Sequence, residues 1–171
     1  MLAIMGWRLH GAFPDRAKFI IAVAPHSSNI DFVLTMWVIL SLRLKCSYLA
    51  KASLFRFPLS VVMNLFGGIP VDRSTSQGVV EQMAARFRAA DAMILGITPE
   101  GTRHQVREWR SGFAQIAQQA NVPVLPAIID YQRKCVTFGP LIEDVADVEA
   151  TLGKVQAAAQ EGVPRRGRQA L

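Results

Sequence analysis

The chain has 171 residues, 51% of them hydrophobic and 19% charged, which excludes a disordered or solvating tail and suits one domain with its own apolar core. Lys and Arg number 19 against 13 Asp and Glu, so the net charge is +6 and the favoured partner is anionic: nucleic acid, an anionic membrane surface or a phosphorylated substrate. No apolar stretch reaches the roughly 18 residues of a membrane span, so no segment is expected to cross a bilayer.

Residues 1–11 mix Leu2, Ile4, Met5, Trp7 and Leu9 with Arg8 and His10 and lack the order of a signal peptide. They read as a short amphipathic segment lying on a surface, with Trp7 able to enter a lipid interface. Lys18–Ala24 is a continuous apolar run of strand length, and 32–44 is so rich in apolar residues that a largely buried helix is expected. A strand over 46–50 follows, then a short helix over 58–66 stopped by Gly67 and Gly68, and a short strand over 69–71. The spacing of Val79, Met83 and Phe87 predicts a helix over 78–90, and 92–98 reads as another buried strand. Gly112–Ala120 is a helix, 122–130 and 133–138 are strands, and 145–160 is a terminal helix. The tail, 162–171, carries Pro164, Arg165, Arg166 and Arg168 and reads as basic and mobile.

Strands alternating with helices argue a single α/β domain spanning 1–171, its sheet mixed but mostly parallel and flanked by helices, with a final strand pair open to antiparallel pairing. Cys46 and Cys135 form no C-x-x-C pair and sit in apolar runs, so reduced core thiols and a cytosolic compartment are expected.

Three of the expected strands hand over to polar residues that a structural turn does not need: His26, Ser27, Ser28, Asn29 and Asp31 after the first, Asp72 and Arg73 after the third, Glu100, Gly101, Thr102 and Arg103 after the fourth. If those strands are parallel, the clusters share the carboxyl edge, where open α/β sheets bind ligands. Five positions on a regular helix put His26 and Asp31 about 140° apart, so contact between them requires a turn. With the helix starting at Ser27, Ser28 or Asn29, Asp31 can reach back to one imidazole nitrogen and leave the other as a general base. Equally, Asp31 can serve as a helix N-terminal charge and His26 as a cap. Arg73 and Arg103 suit phosphate clamping, Gly101 lets the amides near Thr102 approach the same anion, and Glu100 suits orienting an arginine. No G-x-S-x-G elbow is present, and His10, His26 and His104 lack metal-ligand spacing, so neither an acyl-enzyme nor a metal is expected. The basic residues are not interleaved with aromatics, which argues against nucleic acid.

In order along the chain, His26 and Asp31 (His-x-x-x-x-Asp), Gly68, Val71 and Arg73, Glu100 to Arg103 (Glu-Gly-Thr-Arg), and Val122, Pro123 and Pro126 (V-P-x-x-P) resemble the four motifs of the glycerolipid acyltransferase family, which includes lysophosphatidic acid acyltransferases. The resemblance implies transfer of a fatty acyl group from a thioester, acyl-CoA or acyl carrier protein, to the hydroxyl of a lysophosphatidic acid-like acceptor in phospholipid synthesis. It implies His26 and Asp31 as the catalytic pair, and Arg73, Glu100, Gly101, Thr102, Arg103 and Lys51 around the acceptor phosphate. It also implies no cofactor beyond the acyl donor, and peripheral placement on the inner face of the cell membrane. Another lysolipid or polar-lipid acceptor, or a non-catalytic lipid-phosphate-binding module, is the alternative. The chain departs from the family pattern at Ile30, where many members carry tryptophan, and in the short stretch ahead of the first motif.

Overall fold

The computed structural model describes residues 6–25, 29–71, 76–100 and 109–163. Along the chain run β1 (Arg8–His10), β2 (Lys18–Ala24), α1 (Asn29–Ser41), β3 (Cys46–Lys51), a short 3-10 turn (Ala52–Leu54), α2 (Leu59–Leu65), β4 (Gly68–Val71) and α3 (Ser76–Ala89). They are followed by β5 (Met93–Ile97), α4 (Gly112–Ala120), β6 (Val124–Asp130), β7 (Cys135–Phe138) and α5 (Val148–Ala159). The strands form one seven-stranded sheet in the order β1-β7-β6-β2-β5-β3-β4. From β6 to β4 all neighbours are parallel, whereas β7 runs antiparallel to β6 and carries β1 parallel on its outer side.

The continuous apolar run of β2 is explained by its central place, since helices cover both faces of a parallel sheet. Ile20 and Ala22 face a core built with Val80, Met83 and Phe87 of α3, Phe113 and Ile116 of α4, and Val155 of α5. Phe19, Ile21 and Val23 point to the other face and meet Leu34 and Val38 of α1. Local chemistry sets the helix ends. α4 buries Phe113, Ala114, Ile116 and Ala117 on one stripe and stops where Asn121 turns left-handed (φ 50°), its N–H bonding back to Ala117 and Gln118. α5 begins at Asp147, whose carboxylate accepts the N–H groups of Glu149 and Ala150. In β6, Pro126 sits beside Ala22 of β2, and its carbonyl accepts the Gly139 N–H beyond the end of β7. Its missing N–H faces that same side, where β7 has already ended, so the central ladder to β2 is intact.

Three expectations change. The described part of the expected amphipathic segment, residues 6–11, does not lie on the surface as a separate piece. Arg8–His10 adds an edge strand to β7, Leu9 packs on the core, and the Trp7 ring meets Tyr131 edge-on at 5.1 Å, because an apolar residue beside an open strand edge gains more by pairing than by remaining in water. The helix expected over 32–44 starts at Asn29 and ends at Ser41, with Arg43 left-handed (φ 53°). It is not largely buried either: Leu34, Met36 and Val38 are inside, while Ile30, Val33 and Leu40 are exposed, because no other described element covers its outer side. The last strand pair begins later than expected, at Val124 and at Cys135, since Arg133 and Lys134 are taken up by a turn in which Lys134 is left-handed (φ 50°). Of the expected tail, Gly162 and Val163 are described: Gly162 is buried beside Pro25 and Ile128, where a Cβ would stand 2.7 Å from the Ile128 side chain, and the Val163 carbonyl accepts the Tyr131 N–H, while 164–171 lie outside the described residues. Among the described residues, no helix is long and apolar enough to cross a membrane.

Candidate active site at the carboxyl edge of the sheet

Because β2 to β6 are parallel, the residues that follow them meet at one edge. Asp31 lies there in the first turn of α1, with 0% of its surface exposed. A buried carboxyl group needs hydrogen-bond partners, and the amino end of a helix contributes a favourable field. One donor comes from far along the chain, where the Tyr131 hydroxyl donates to Asp31 Oδ1. Tyr131 stands just past the end of β6 and is held on three sides, by its N–H bond to Val163, the edge of Trp7 and the β6 backbone. Beside it the buried Asp130 accepts the Arg133 N–H at 2.9 Å and faces its guanidinium at 3.7 Å, which closes the turn and fixes where Tyr131 leaves the strand. Within α1 the Thr35 hydroxyl donates to the Asp31 carbonyl at 2.7 Å.

Of the other candidates, Lys51 and Glu100 fall at the same edge on neighbouring strands. Lys51 ends β3 in register with Val71, the last residue of β4, and its side chain is exposed. Two strand spacings, about 10 Å, separate β3 from β2. Glu100 is half-buried just beyond β5, the strand between them. The buried Pro99 accepts the Arg110 N–H at 2.9 Å, so the chain that carries Gly101, Thr102 and Arg103 leaves and returns at one point of the edge. His26, Arg73, Gly101, Thr102 and Arg103 themselves lie outside the described residues. The structure therefore brings Asp31, Lys51 and Glu100 to a common edge and leaves five assignments with the sequence. Among the described residues, no three of His, Cys, Asp and Glu gather closely enough to hold a metal ion.

Between α1 and the sheet, starting one turn from Asp31, lies a cavity whose walls include Ile21, Val23, Leu34, Val38, Ala127 and Ile129. Cys46 also reaches it, and burial pushes that thiol up to about 11 despite an opposing hydrogen bond from the Gly96 backbone. Burial likewise raises the Tyr48 phenol.

Tyr131 is the residue that sequence reasoning passed over. Its signal resembles the other three: an apolar strand, 122–130, runs straight into Asp130 and Tyr131 at the carboxyl edge.

The solved structure of the 1-acyl-sn-glycerophosphate (LPA) acyltransferase PlsC from Thermotoga maritima is similar, with a TM-score of 0.63 at 18% sequence identity, over 94% of this chain and 74% of that one. At that identity the likeness speaks for the fold. No curated protein sequence gives a significant match. The acyltransferase family model matches residues 8–130, from the first strand to the end of β6, and so includes all four motif blocks. With a parallel sheet whose carboxyl edge holds the aspartate of the first block, and a family match over most of its length, the chain belongs to the acyltransferase family.

Proposed function

We propose that the protein transfers a fatty acyl group from a thioester donor, acyl-CoA or acyl carrier protein, to the free hydroxyl of a lysophosphatidic acid-like acceptor. The observation that carries this reading is Asp31, fully buried at the amino end of α1 under the Tyr131 hydroxyl, five positions after His26 in a chain of the acyltransferase family. In this reading His26 takes the proton of the acceptor hydroxyl as its oxygen attacks the thioester carbonyl, and the thiolate leaves. Asp31 orients the imidazole and stabilises the imidazolium, a contribution of roughly 10²- to 10⁴-fold. The thioester is already activated, so alignment of the two substrates supplies much of the remaining acceleration without an acyl-enzyme.

Lys51, Arg73 and Arg103 supply positive charge for the acceptor phosphate, with Glu100 holding an arginine and Gly101 and Thr102 offering backbone amides. The protein works peripherally, on the inner face of the cell membrane, with lipid and not nucleic acid as its partner. Structural likeness to an LPA acyltransferase supports this acceptor, and another lysolipid with an anionic head group is chemically close.

The test is to incubate purified protein with membranes and labelled acyl-CoA or acyl carrier protein and to identify the acylated lipid by mass. Labelled phosphatidic acid that disappears with His26→Ala is the expected result. Acylation that is insensitive to that change, or absent with both donors, overturns the proposal.

A further inference from the structure

Among the described residues, eleven large hydrophobic side chains are exposed, and ten of them fall between Ile30 and Phe66. Phe57 is 86% exposed, Leu65 78% and Val61 60%. α2, although apolar over most of its length, buries no residue at all. A helix with apolar side chains around it is normally inside a protein or in contact with lipid. The ten residues belong to one surface. Tyr48 of β3 meets Phe32 of α1 edge-on at 5.3 Å, and its hydroxyl reaches the Met63 sulfur of α2 at 3.5 Å, so α1 and α2 lie on the same side of the sheet, joined through one side chain.

The charges around this surface have a single sign. Residues 32–71 contain no Asp or Glu, and their four cations, Arg43, Lys45, Lys51 and Arg56, are all exposed. We infer that the outer side of α1 together with residues 52–66 docks on an anionic lipid bilayer, apolar side chains entering the interface and the four cations meeting lipid phosphates. Charge selects this occupant over others. A second copy pairing through the same patch would bring four cations against four, and the two ends of the sequence given, 1–14 and 162–171, contain no acid that would complement them.

The docked surface borders the candidate site. Lys51 leads directly into it, and Asp31 is buried in the turn of α1 that exposes Ile30 and Val33. Bound this way, the face carrying α1 and residues 52–66 lies on the lipid with the carboxyl edge at its border, where amphipathic substrates enter. The inference rests on the peripheral placement proposed above and names the surface responsible.

The experiment is vesicle flotation with phosphatidylcholine alone and with added phosphatidylglycerol, for the wild type, the double variant Phe57→Ser, Leu65→Ser, the double variant Arg43→Gln, Arg56→Gln, and the control Lys154→Gln on α5. Both serine positions are so exposed that folding should be unaffected, which a melting curve verifies. The wild type and Lys154→Gln are expected to float with the anionic vesicles, the serine variant to lose at least about tenfold in partitioning, and the glutamine variant to lose its preference for phosphatidylglycerol. Equal binding of wild type and serine variant overturns the inference, as does a wild type that ignores vesicles. A wild-type dimer dissolved by the serine variant, without vesicle binding, also overturns it and assigns the patch to a second copy. Acyl transfer between short-chain, water-soluble substrates separates the two readings: transfer without vesicle binding leaves only the docking surface wrong, and vesicle binding without transfer leaves only the proposed activity wrong.

Discussion

The Tyr131 hydroxyl and the Asp31 carboxylate are hydrogen-bonded across one hundred positions of sequence, so the first turn of α1 and the turn after β6, the neighbour of the central strand β2, are locked together at the candidate site. Tyr131 is braced by Trp7 and by the carbonyl of Val163, which ties both ends of the described fold to that lock. A side chain so constrained restricts the rotation of the carboxylate it touches.

Tyr131→Phe should therefore keep the ring packing and lose only the hydroxyl. A buried carboxylate deprived of a donor costs about 1 to 3 kcal/mol, which urea denaturation can measure. Turnover is expected to fall about tenfold or more with little change in acceptor KM, because the carboxylate gains freedom while the phosphate contacts remain. A variant with full turnover and reduced stability would restrict Tyr131 to holding the fold.

The contrast between what was legible and what was not follows from the range of the interactions. The bounds of β2 and α4 agree with the sequence reading because each is set locally, one by an unbroken apolar run and the other by a stripe that ends at Asn121. The convergence of three strand ends on one edge was also legible, since it follows from parallel alternation. Arg8–His10 was not, because three residues of mixed polarity become a strand only through β7, more than one hundred positions away. Apolar content showed that α1 would be a helix, yet it could not show that Leu34, Met36 and Val38 would be covered while Ile30, Val33 and Leu40 would not, since that depends on what lies outside the helix. Tyr131 remained hidden because its partner is Asp31 and no local pattern links them.

The buried thiol of Cys46 makes stability depend on alkaline pH. Its pKa is raised from 9.0 to about 11, so the unfolded chain releases the proton first. The stabilisation is complete below pH 9 and is lost as pH rises through 9 towards 11, a change of at most about 3 kcal/mol. Cys46→Ala should lower stability at neutral pH through the cavity it leaves but should fall less steeply across that window. Parallel profiles for the two proteins would show that Cys46 does not titrate on unfolding. The folded wild type should also resist thiol reagents at neutral pH.

The cationic side chains at the edge should act through the acceptor. If Arg73 and Arg103 bind the acceptor phosphate as proposed, each Ala substitution removes a charge-assisted contact worth roughly 1.5 to 3 kcal/mol, so acceptor KM should rise about 10- to 150-fold while donor saturation changes little. Lys51, exposed at the end of β3, should have a smaller effect, because solvent screens its charge. Equal losses with an acceptor that lacks phosphate would assign these residues another task.

The role of Asp31 is open to a sharper test now that its surroundings are known. Asn in its place still presents an oxygen to the Tyr131 hydroxyl and still suits the amino end of a helix, so Asp31→Asn should fold with a modest loss of stability. If Asp31 serves only the helix, activity should remain almost unchanged, since the dipole contribution is about 0.3 to 1 kcal/mol. If it orients His26, turnover should fall by orders of magnitude, because an amide can favour the wrong imidazole tautomer and cannot stabilise the imidazolium. Complete burial favours the second outcome, for a charge that only complements a helix has no need to leave water. In a double-mutant cycle, His26→Ala with Asp31→Asn should be little slower than His26→Ala alone, because two members of one catalytic unit do not contribute additively. Losses that multiply would mean that the two residues work separately, and the general-base mechanism would fail even if the protein proved to be an acyltransferase.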